Sequence, residues 1–70
     1  MSKHAVEVDT REFQFAHGRR PAGPGTWAFF FGKSRDASDA FFVTGTWREC
    51  ASEARDEARR RGVSRVVVGS

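Results

Sequence analysis

The order of apolar and polar positions divides the chain into stretches of two different periods. From Ala5 to Phe15 apolar and polar residues alternate, but the phase changes: Val6 and Val8 share one parity with Thr10, whereas Phe13 and Phe15 take the other. One straight strand cannot keep both sets on the same side of a sheet, and an extra residue near Asp9 to Arg11, a β-bulge, restores the facing. The pattern predicts one long, bent strand. From His17 to Gly25, glycines at 18, 23 and 25 and prolines at 21 and 24 break regular structure and predict a long hairpin loop. Thr26 to Phe31 then predicts a second strand, Gly32 to Asp39 a polar connection, and Ala40 to Thr44 a third strand.

The period changes at Thr46-Trp47-Arg48-Glu49, which has the spacing of a capping box and predicts a helix from about Trp47. Its acids, Glu49, Glu53, Asp56 and Glu57, precede Arg59, Arg60 and Arg61, which suits the helix macrodipole, and Gly62 stands where a left-handed cap would end it. Trp47, Cys50, Ala51, Ala54 and Ala58 fall on one face. Most are small, so the helix can approach a sheet that carries large rings. Val63 to Val68 predicts a last strand, delivered parallel to the third by a crossover and set beside the first, with a place beside the third as the alternative.

These elements give an α+β fold in the order βββαβ: an antiparallel meander, one helix on one face, and a fourth strand, all in a single domain spanning 1–70. One helix covers one face. With Trp27, Phe29, Phe31, Phe41, Val43, Val66 and Val68 toward the helix, Phe30, Phe42 and Val67 point away from it, because side chains alternate along a strand. A leftover apolar face on a small domain marks a contact site. Dimerisation of sheet faces, a curl of the first strand and a platform for nucleic-acid bases are the three occupants to weigh.

Composition narrows this picture only a little. Among 70 residues there are seven Phe, two Trp and no Leu or Ile, a palette that favours strands. A net charge of +3 permits an acidic partner, but nine carboxylates are mixed with twelve cations. Arg19 and Arg20, on the glycine-proline loop, are candidate contacts for phosphate or carboxylate, and Lys33 and Arg35 on the next connection join them. The glycines at 23 and 25 precede a strand and lack a following Gly-Lys-Ser/Thr, which excludes a P-loop.

Chemistry at a catalytic or metal centre finds little support. His4, His17 and Cys50 have no short ligand spacing, so no metal or cofactor is expected. Cys50 lies on the apolar helix face, where a thiol behaves as a small hydrophobe, and no enzyme activity is expected. A single cysteine forms no internal disulfide, Met1-Ser2-Lys3-His4 leads into no apolar signal core, and the apolar run Trp27 to Phe31 is too short to span a bilayer. The expectation is a cytoplasmic, non-membrane binding protein with nucleic acid as its nominal ligand and a homodimer as its form. Its site residues are Arg19, Arg20, Phe30, Phe42, Lys33 and Arg35, and the alternative is a protein-interaction module without a nucleic-acid ligand.

Overall fold

The computed structural model describes residues 5–69. Its elements are β1 (Glu7–Asp9), α1 (Arg11–His17), β2 (Pro24–Phe30), β3 (Phe41–Thr46), α2 (Trp47–Arg61) and β4 (Arg65–Val68), with a 3-10 turn at Ala37–Asp39. The sheet runs β1-β4-β2-β3. β4 is parallel to β1 and antiparallel to β2, and β2 is antiparallel to β3. The α+β class and the helix packed on the sheet therefore stand, and β4 does lie beside β1. The element order, βαββαβ, adds one helix to the expected order, and because β4 stands between β1 and β2, only β2 and β3 keep the antiparallel pairing of the expected meander.

That helix lies where the hydrophobic phase changes. No bulge carries a strand through Asp9 to Arg11. Instead the Asp9 carboxylate accepts the Arg11 N–H at 3.0 Å and turns the chain into α1. Gly18, at φ 68, closes α1 by donating its N–H to the Gln14 carbonyl. The segment after it joins a helix to β2, so it is not a hairpin loop. Only Phe13 of α1 is buried; its ring lies 5.5 Å from Trp27 and 4.2 Å from the His17 ring.

α2 forms as its ends predict. Thr46 Oγ1 accepts the Glu49 N–H and Glu49 Oε1 accepts the Thr46 N–H, each at 3.3 Å. Gly62, at φ 74, supplies the left-handed cap. The helix buries Cys50, Ala51, Ala54 and Ala58. Phe29, Val66 and Val68 below them have no exposed surface. Trp47 completes this layer, edge-on to Trp27 at 5.1 Å and stacked on Phe29 at 5.9 Å. Every residue expected to face the helix belongs to this cluster or packs against it.

Candidate functional site

The other sheet face is set by the same register. Pairing of Glu7 with Arg65, Phe30 with Val67, Ala28 with Phe42 and Thr26 with Thr44 puts these side chains together on the side away from α2. Phe30 and Val67 lie there as expected, yet both are buried, whereas Phe42 is 57% exposed. The cover over Phe30 does not come from a curled first strand. The connection after β2 folds back across the face, with the Arg35 guanidinium 5.5 Å from the Phe30 ring centroid.

Arg35 is held in that position. It donates to the Glu12 carboxylate of α1 through Nε at 3.1 Å and Nη2 at 3.0 Å, and through Nη1 to the carbonyls of Gly32 and Ser34. The Arg35 hydrogen bonds draw the Glu12 carboxyl below its ordinary value, and Arg35 is raised in turn. A residue read as a free cation is thus a clasp between a loop and a helix. Gly69 completes the seal: its N–H donates to the Ala28 carbonyl at 2.8 Å, and a Cβ there would stand 2.6 Å from Phe30 Cε2.

A second ion cluster holds the far side of this face. Asp9, almost fully buried, accepts Nε and Nη2 of Arg11 at 3.0 and 2.8 Å and is also bonded by the Arg65 guanidinium. The side-chain and backbone hydrogen bonds from Arg11, then the one from Arg65, hold its carboxyl well below the usual carboxylate range. Lys33 is exposed and lines a shallow hollow with Phe31, Gly32, Arg35, Arg65 and Val67.

What remains open is a trough on either side of the Phe42 ring. One hollow, of about 380 Å³, has Phe42, Ala28, Thr26 and Gly69 on the sheet side and His17, Arg19 and Ala22 on the α1–β2 side. A second, of about 270 Å³, shares Ala28, Phe42 and Gly69 and ends at Glu12 and Arg35. The structure thus joins Phe42 to Arg19 in one hollow, while Arg20 is exposed on the same connection. Phe30 is below the surface and Arg35 is committed to Glu12.

The other candidate chemistry is placed elsewhere. Cys50 is fully buried, and its thiol contacts the Val43 carbonyl at 3.6 Å. Burial, with the nearby Glu53 and Glu49 charges, pushes the thiol up, away from thiolate reactivity. His4 lies outside the described residues, and among those described no group of three or more His, Cys, Asp or Glu side chains could hold a metal ion. No described helix is long and apolar enough to cross a membrane. Sequence reasoning missed Glu12, Asp9 and Gly69, which build the face, and Phe15, which is 94% exposed on α1. Comparison with family models, curated proteins and solved structures gives no match.

Proposed function

We propose that this chain is a small non-enzymatic binding protein for single-stranded nucleic acid, which it takes on the trough around Phe42. The observation that carries this reading is the joining of Phe42 and Arg19 in one hollow, with exposed Arg20 on the same connection. An unpaired base can lie against the Phe42 ring while the neighbouring phosphates meet guanidinium groups, the pairing of stacking and charge by which single strands are held. A duplex hides its base faces and cannot stack them on the Phe42 ring. Lys33, exposed beyond the Arg35 clasp, offers positive charge at the opposite end of the same face. A lone, buried cysteine suits work in the reducing cytoplasm.

Fluorescence anisotropy with labelled single-stranded and duplex oligonucleotides tests the proposal. Single strands should bind more tightly, and Phe42→Ala should weaken them by roughly 5- to 150-fold, the worth of one stacked base. Changing Arg19 and Arg20 together to Gln should reduce the logarithmic salt slope by about 1.4 for a single strand. Absence of single-strand binding at low salt, or a Phe42→Ala variant that binds as well as the parent, would refute it.

A further inference from the structure

The two hollows beside Phe42 exist because their shared floor carries almost no side chain. Ala28 is the cross-strand partner of Phe42, and Gly69 lies against it, its N–H bonded to the Ala28 carbonyl. A large ring beside two such small residues stands up from the sheet with space on either side. The walls that face the ring across that space differ in chemistry. On one side Arg19 and His17 line the hollow, and an anion suits that wall. On the other side the wall is Glu12 with Arg35.

That second wall accepts hydrogen bonds and has little left to donate. The Arg35 Nη1 serves the carbonyls of Gly32 and Ser34, and its Nε and Nη2 form a fork on Glu12. The Nη2 hydrogen left over points away from Glu12, because the fork uses the one on the Nε side. Glu12 keeps capacity to accept. A carboxylate has about four lone-pair sites, and the fork approaches from one side, so each oxygen of this half-exposed side chain retains an open one. The Arg35 hydrogen bonds also draw the carboxyl below its ordinary value, which keeps it ionised and unable to donate near neutral pH. A phosphate in this hollow would meet a like charge. A base would meet an acceptor beside an aromatic face.

We propose that the hollow between Phe42 and Arg35 reads the base: Glu12 accepts the exocyclic amino group of a base stacked on Phe42, so the protein prefers cytosine to thymine or uracil. The proposal rests on the single-strand reading of the trough and adds a specificity to it. Cytosine carries the N4 amino donor where thymine and uracil carry the O4 carbonyl, and a carboxylate accepts the first and repels the second. Thymine also has an N3–H, but it stands between two carbonyls, and turning it toward Glu12 brings acceptor against acceptor. Adenine and guanine carry amino groups too. Cytosine and thymine are nearest in size and ring face, so their ratio isolates the hydrogen bond from the stacking. The strand then has a direction on the sheet, with a phosphate toward Arg19 and a base edge toward Glu12.

Anisotropy titrations with oligo(dC) and oligo(dT) of equal length test this at fixed salt and slightly alkaline pH, where cytosine strands do not pair with themselves. The parent should bind oligo(dC) roughly 3- to 10-fold more tightly, the worth of one hydrogen bond. A strand of pyrimidin-2-one nucleotides, which are cytosine without its amino group, should bind the parent no better than oligo(dT). Glu12→Gln keeps an acceptor for Arg35 and adds an N–H donor, so it should weaken oligo(dC), strengthen oligo(dT) and abolish the preference. A residue that served only as a clasp would weaken both strands alike. Equal binding of the two strands by a parent that still needs Phe42, a pyrimidin-2-one strand that binds like oligo(dC), or a folded Glu12→Gln variant with the parent's ratio would each overturn the selectivity and leave the single-strand reading standing. Failure of the parent to bind any single strand would overturn both.

Discussion

The two faces of this sheet are closed by different forces. Under α2, rings of Phe29, Trp27 and Trp47 meet small helix residues and valines, and the contact carries no ion pair, its polar atoms bonding only to backbone carbonyls of β3. On the other face, Phe30 and Val67 are sealed by charged side chains: Arg35 bound to Glu12 at one place, Asp9 bound to Arg11 and Arg65 at another. Hydrophobic burial scales with area and is insensitive to pH, whereas hydrogen-bonded ion pairs weaken when carboxylates protonate. The difference teaches that one face carries the stability and the other carries the conditions under which the site keeps its shape. Substitutions on the two faces should therefore separate in size and in their response to acid.

The largest effect belongs to the apolar side. Phe29 is fully buried at the centre of the α2 layer, and Phe29→Ala should cost about 3 to 5 kcal/mol in chemical denaturation. A loss under about 1 kcal/mol would show that α2 does not carry the core. Next comes Asp9→Asn, which removes an anion serving two arginines and the start of α1; it should cost about 1 to 3 kcal/mol near neutral pH. The sign of its pH dependence is fixed. Asp9 has a folded value below its unfolded one, so its contribution is complete above the ordinary carboxylate value, about 4, and is lost as pH falls from there toward the folded value. The acid limb of the stability curve should be flatter in Asp9→Asn, and an unchanged limb would remove Asp9 from the account. Arg35→Gln should be smaller, about 0 to 1 kcal/mol, because its pair with Glu12 is exposed. Its readout is local: amide exchange at Asp39 and Ala40 should quicken as the clasp opens, while amides in α2 hold.

The same contrast explains what the sequence let a reader see. α2 was legible because its signals are local: Thr46 and Glu49 three residues apart, small residues on one face, Gly62 at the end. The strand parities that sort Phe29 from Phe30 were legible too, since alternation follows from backbone geometry. α1 was not. With only Phe13 buried, seven residues give too few turns to register a helical period, and Phe15, the other half of the apparent alternation, faces solvent. Asp9, Glu12 in the first turn and Gly18 were the available start and stop signals, but they compete with a bulge that explains the same phase change. The cover over Phe30 depends on Arg35 and Glu12, which are 23 positions apart; no local pattern reports such a pair. Hence Phe30 and Phe42, equivalent by parity, divide into a buried ring and a surface ring.

That division supplies the smallest expected effect on stability. Phe42 packs on one side against its strand neighbours and is otherwise exposed, so Phe42→Ser should change the denaturation midpoint by no more than about 0.5 kcal/mol. Phe30→Ser, two positions beyond Ala28 on the same face but beneath the Arg35 clasp, should cost several times more, because it leaves a void and a hydroxyl where a ring was sealed. The order reverses for ligand. Phe42→Ser removes the ring that both hollows share and should lower single-strand affinity, while the parent's fold and circular dichroism persist. Measuring denaturation and anisotropy on the same two variants distinguishes the roles. Equal stability losses would mean that the loop does not cover Phe30, and unchanged affinity in a folded Phe42→Ser variant would place the ligand elsewhere on the molecule.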